Sequence, residues 1–169
     1  PLLVSKQSGH IDTNLTFAIC GMEQHVYSYP SRAIRNKDFL YIRNFDPARW
    51  PSGEVEGHHP QYDFAIQPWP TERGAFSYNI DPSPSKQFLR LNRNATEVKS
   101  TADLSFSKHP ADELYDLRVD PDQLNNVALD AVYENRLEQL RKQLETELIR
   151  SGDPRLTHTR ANDGATALE

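Results

Sequence analysis

EQHVYSYPSRAIRNKDFLYIRNF, residues Glu23 to Phe45, decides the fold of this chain. It reads as a short strand, a break at Pro30, and a tight antiparallel hairpin. Arg32 to Arg35 form one arm, Asn36-Lys37-Asp38 the turn and Phe39 to Phe45 the other arm. A short polar loop between two β-rich runs is the usual hairpin signal. Side chains alternate along a strand, so Leu40 and Ile42 point one way and Phe39 and Tyr41 the other. Both faces are apolar near the turn, so the hairpin needs cover on two sides.

Working outward, one cover is legible at the C-terminal end. Tyr133, Leu137, Leu140, Leu144 and Leu148 recur at helical spacing and form one apolar face. Glu138 and Lys142 make a favourable i,i+4 pair on another face. Gly152 fits a helix stop and Pro154 prevents continuation. The expected element is a Val127–Arg150 helix across one face, the one carrying Leu40 and Ile42. Phe39 and Tyr41 then face a second cover from outside the chain or from the loop carrying Trp50 and Trp69. The fold class is α+β: a small antiparallel sheet of about four strands with a long C-terminal helix packed on one face.

Between these landmarks the chain is irregular. Leu15 to Cys20 is β-like. Residues 46–84 hold seven prolines, among them Pro47, Pro60 and Pro84, which break helix and ladder alike. Ser83-Pro84 starts a short helix over Ser85 to Leu91. Asn92 to Thr101 reads as polar connector and Ala102 to Phe106 as a helical turn. In ELYDLRVDPDQLNNVA, residues 113–128, Asp120-Pro121-Asp122 is a turn former and Asn125-Asn126 caps the last helix. Tyr115 is expected to pack against that helix. One domain spans 1–155, and 156–169 is a polar, disordered tail ending in Leu168-Glu169, which reads as a cloning remnant.

Composition narrows the function classes. The 169 residues carry a net charge of −5 with both signs interspersed, against a nucleic-acid or anionic-membrane binder. Mean hydropathy is −0.73, and no apolar run approaches the roughly 18 residues that span a membrane. A single cysteine, Cys20, excludes an internal disulfide, and no Cys/His spacing resembles a zinc site. The chain starts at Pro1 without Met or signal peptide, which reads as a piece of something longer. His58-His59 reads as a solvated pair rather than a metal site, and Trp50 and Trp69 as anchors of the long loop.

Three stretches together resemble the C-terminal subdomain of the sulfatase family, in its heparan N-sulfatase-like branch. GMEQHV (21–26) is similar to a G-x-E-x-H stretch, although Met22 stands where Arg is common. YPSRAIRNKDFLYIRNF (29–45) is similar to Y-P-x-R-A-I-R-T-K-D-[FY]-x-Y-I. ELYDLRVDPDQLNNVA (113–128) is similar to E-L-Y-D-L-x-x-D-P-x-E-x-x-N-L-A. The resemblance implies a partner, the catalytic domain of the same protein, carrying a formylglycine and calcium held by Asp and Asn oxygens. It also implies a sulfated glycan substrate and an exported or periplasmic setting.

The resemblance further implies that this region borders the substrate pocket. His25 and Arg32, with Glu23 behind them, are the candidate substrate-binding residues, through charge-assisted hydrogen bonds to an anionic sugar; the structural alternative is that His25 caps a strand end and Arg32 pairs with a carboxylate. No Asp-Asp or Asp-Asn step occurs in the chain, so the expectation is a fragment without a catalytic set or metal of its own, inactive alone. Ser28-Tyr29-Pro30-Ser31-Arg32 spells the formylglycine motif S-x-P-S-R. It runs into a hairpin, however, where a nucleophile would sit at a helix start. The isolated fragment is expected either to dimerise through the open sheet face or to order the Trp50–Trp69 loop across it. Two rival readings are a stand-alone glycan- or protein-binding module using the sheet's other face and the Trp loop, and a small hydrolase using Ser28.

Overall fold

The computed structural model of the chain describes residues 16–24, 28–52, 79–81 and 83–157. Strands β1 (Phe17–Gln24), β2 (Ser28–Asn36), β3 (Phe39–Asn44) and β4 (Asp112–Asp116) form one antiparallel sheet in the order β1-β2-β3-β4. Helices α1 (Pro84–Leu91) and α2 (Thr96–Phe106) lie between β3 and β4; α3 (Glu134–Ser151) and the short α4 (Pro154–Thr157) come after β4. The α+β architecture matches the sequence expectation.

The hairpin forms where the turn chemistry puts it. Asn36 Oδ1 accepts hydrogen bonds from the backbone N–H of Asp38 at 2.9 Å and Phe39 at 2.8 Å, an Asx turn that closes the loop. Pro30 does not break the strand, as the sequence suggested it would. Met22 pairs with Ser31 and Gln24 with Ser28, so Tyr29 and Pro30 together oppose Glu23 in a β-bulge. A bulge residue owes the ladder no N–H, which is how proline fits an internal strand. Its carbonyl still accepts from Phe45 N at 3.0 Å.

Register aligns Ile19, Ile34, Tyr41 and Leu114 across the four strands. Leu140, Leu144 and Leu148 of α3 complete this core, with Phe39 and Ala128, and all of them are buried. The sequence assigned the sheet faces the wrong way round. The helix covers Phe39 and Tyr41, whereas Leu40 and Ile42 lie half-buried on the other side. The larger side chains bury more apolar area under the helix, and each polar or ring edge finds a partner there. Tyr41 donates to Asp112 Oδ1 at 2.5 Å, Arg141 of α3 binds Asp112 Oδ2 at 3.0 Å, and Tyr133 meets the Phe39 ring edge-on at 6.3 Å.

Other boundaries shift for local reasons. The sequence-expected start of α3 at Val127 moves to Glu134, after a 3-10 turn at Ala131–Tyr133 whose first N–H groups are met by Asp130. Asn126 caps no helix; its Oδ1 accepts from Leu114 N and Ala128 N and ties the loop to β4. Helix α2 begins at Thr96, inside the expected connector. Two boundaries agree with the sequence. Ser83 caps α1 by accepting from Lys86 N. Gly152 ends α3 in the left-handed region at φ 71°, which glycine adopts without steric cost. Leu156, placed by sequence in the tail, instead packs against the core.

Candidate functional site

Arg32 sits on the helix-covered face of β2, opposite Gly21 of β1. A Cβ on Gly21 would come within 2.6 Å of Arg32 Cδ, so the absent side chain is what lets the arginine lie across the edge strand. Arg32 Nε donates to Asp153 Oδ2 at 2.6 Å, and Nη1 to the carbonyls of Ser31 and Met22. Its Nη2 is held by the Glu23 carboxylate and by Asp153 Oδ1. Asp153 arrives directly behind the Gly152 turn. Arg155, in α4, closes the ring by donating to Glu23 Oε2 from Nη2 at 2.6 Å and Nε at 3.0 Å.

The result is a neutral cluster of two guanidinium and two carboxylate groups joining β1, β2 and the end of α3. Hydrogen bonding by Arg155, then Arg32, lowers the Glu23 carboxyl against the upward push of burial. Burial likewise raises Asp153, but its bonds to Arg32 and the Arg155 backbone outweigh this and lower it. An arginine offered to substrate should be open, and this one is 6% exposed with its donors taken. Arg32 takes the carboxylate-paired arrangement: it and Glu23 spend their charge on one another and on Asp153 and Arg155. His25 lies outside the described residues.

The cluster closes one end of a cleft of about 490 Å³ between β1 and the last turns of α3, with Phe17, Ile19 and Leu148 on its apolar side. Ser28 opens β2, with its hydroxyl 3.4 Å from the Glu23 carbonyl. A strand start aims no helix amides at a reacting group, so the formylglycine-like spelling lacks the setting its chemistry requires. Among the described residues there is no group of three or more His, Cys, Asp or Glu that could hold a metal ion. No described helix is long and apolar enough to cross a membrane. His58, His59 and Trp69 lie outside the described residues; Trp50 is half-buried, with Lys108 Nζ 5.2 Å from its ring centre.

A second polar centre lies on the opposite face of the sheet, and sequence reasoning missed it. Glu113, 3% exposed, accepts from Asn44 Nδ2 at 2.7 Å and Tyr115 OH at 2.5 Å, and its Oε1 lies 3.0 Å from His109 Nδ1. Tyr115 therefore turns away from α3, correcting the expected packing. The signal was present: Glu113 and Tyr115 are two apart on one strand and must share a face. Nothing in the sequence tied them to Asn44 or His109. The bond to Glu113 raises His109 against the lowering effect of burial. Tyr29 OH is buried without a hydrogen-bond partner among the described residues, and its pKa is pushed to about 12 by burial and then by Glu113 and Asp46.

No family model matches the chain. Over 122 residues, 72% of its length, it is 30% identical to an ulvan-active sulfatase of Formosa agariphila. That likeness supports a sulfatase-related domain. The match spans 17% of the relative, so most of that protein has no counterpart here. A candidate sulfatase from Bacteroides thetaiotaomicron and a 2-O GAG sulfatase, both solved structures, superpose with TM-scores of 0.46 and 14% identity. They cover 89% and 88% of this chain, which spans 19% of each. The three sulfatase-like stretches fall on the end of β1, on the β2–β3 hairpin and on β4 with its adjoining loop.

Proposed function

We propose that this chain is the C-terminal subdomain of a sulfatase in the heparan N-sulfatase-like branch. Its partner is the catalytic domain of the same polypeptide, and the substrate of the joined enzyme is a sulfated glycan. The single observation that carries this reading is the 122-residue likeness to part of an ulvan-active sulfatase. The three motif-like stretches support it, since they coincide with the end of β1, the β2–β3 hairpin, and β4 with the loop that follows it. In this reading the chain supplies no nucleophile and no metal ligands, and His25 is the candidate contact with the anionic sugar. Arg32 and Glu23 instead hold the strand that leads to His25.

The chain alone is expected to release no sulfate from an aryl sulfate or a sulfated glucosamine, with or without calcium. Calcium-dependent turnover that disappears in Ser28→Ala would overturn the reading in favour of a hydrolase built on that serine.

A further inference from the structure

The two edges of the sheet are treated differently. The outer edge of β4 is closed by the loop after it: Leu114 N donates to Asn126 Oδ1 at 2.9 Å, and Leu114 O accepts from Val127 N at 2.8 Å. The outer edge of β1 has no such cover among the described residues. Its ladder runs to β2, no described segment bonds to its outer backbone, and it is the last strand of the sheet. Protein edges are ordinarily blunted by lysine, proline, a mid-strand bulge or a covering segment. FAICGMEQ has no lysine and no proline, its one charge is Glu23, and the only irregularity falls at its last residues. On the face away from α3, Ala18, Cys20 and Met22 form an exposed run of small or apolar side chains.

We propose that β1 pairs antiparallel with β1 of a second copy, about a two-fold axis at Cys20, to give a continuous eight-stranded sheet. The strand is its own complement in that register. A two-fold perpendicular to the sheet keeps both α3 helices on one face, and this requires paired residue numbers with an even sum. With the axis at Cys20, Ala18 meets Met22 of the partner subunit, doubling the apolar run on the open face. Ile19 meets Gly21 of the partner subunit, where the missing side chain leaves room. Glu23 lies across from Phe17 of the partner subunit, so the two Glu23 carboxylates stand about six residues, roughly 20 Å, apart and do not repel. Free backbone donors and acceptors on both copies become paired, which is the driving feature of edge-strand association.

Sedimentation of the whole chain over a micromolar concentration series tests this. The expected result is a monomer–dimer equilibrium. Ala18→Lys, which puts a charge on the exposed run, should shift it to monomer with the circular dichroism and melting temperature kept; Leu124→Lys, at an exposed residue in the loop after β4, should leave it unchanged. Diamide, as oxidant, should join the two Cys20 thiols into a dimer that survives denaturation without reductant, since directly opposed residues come within disulfide reach. Cys20→Ser should abolish the cross-link but not the dimer. A monomer at every concentration would overturn the proposal and leave the edge to a segment from elsewhere in the polypeptide. A dimer indifferent to Ala18→Lys would overturn it equally, and a dimer that never cross-links would reject this register.

Discussion

At the scale of single residues, charge and space decide what each side chain is used for. Gly21 gives Arg32 a path over the edge strand, and Arg32 uses it to reach Glu23 and Asp153. Gly21→Ala should force that guanidinium aside and cost about 1–3 kcal/mol, read as a lower urea midpoint with the slope unchanged. His109 makes a pH prediction. Its folded pKa is raised above 6.5 by Glu113, so the pair's contribution is present in full below 6.5 and lost as pH rises through the folded value. Glu113 faces it directly, and Asn44 and Tyr115 bond the same carboxylate. A urea midpoint that falls from mildly acid to mildly alkaline pH in the native chain, and stays flat over that window in His109→Gln, is the expected result. The sequence named Arg32 and Glu23 but not Asp153, Arg155 or His109. Their roles depend on partners 121, 132 and 4 positions away, the first two beyond any local pattern.

At the scale of elements, periodicity was a sound guide wherever one face is buried. The leucine stripe fixes the register of α3, and Leu140, Leu144 and Leu148 are 1–3% exposed. Leu144→Ala should therefore cost about 2–5 kcal/mol, while Glu138→Ala should cost a few tenths. Glu138 binds Arg141 and Lys142 on a solvated face, where screening keeps such pairs weak. Equal losses in thermal melts of the two variants would mean that the register is wrong. Element starts were less legible. The segment before Glu134 is occupied by a 3-10 turn and an asparagine-pinned loop, and α2 reaches back to Thr96 with no capping side chain at Ala95. Pro30 stays inside a strand because a bulge absorbs it, and a bulge exists only once two strands have met.

At the scale of the whole molecule, the sheet carries two polar clusters on opposite faces: the arginine–carboxylate ring beside α3 and the Glu113 centre behind it. The ring ties the edge strand to the helix end, and the centre ties β3 and β4 to the segment after α2. The sequence by itself determined the fold class, the hairpin and its turn, the register of the last helix, its glycine stop and the likeness to sulfatases. Each of these rests on spacing along the chain, on local turn chemistry or on motif spelling, which contacts do not alter. Only the tertiary structure decided which face of the hairpin the helix covers, and that Arg32 is closed rather than open. A strand with apolar residues on both sides is symmetric in sequence. The symmetry is broken by Asp112 and Arg141 meeting Tyr41, and by Asp153 arriving at Arg32 from the far end of α3. Those partners come together only when the chain is folded.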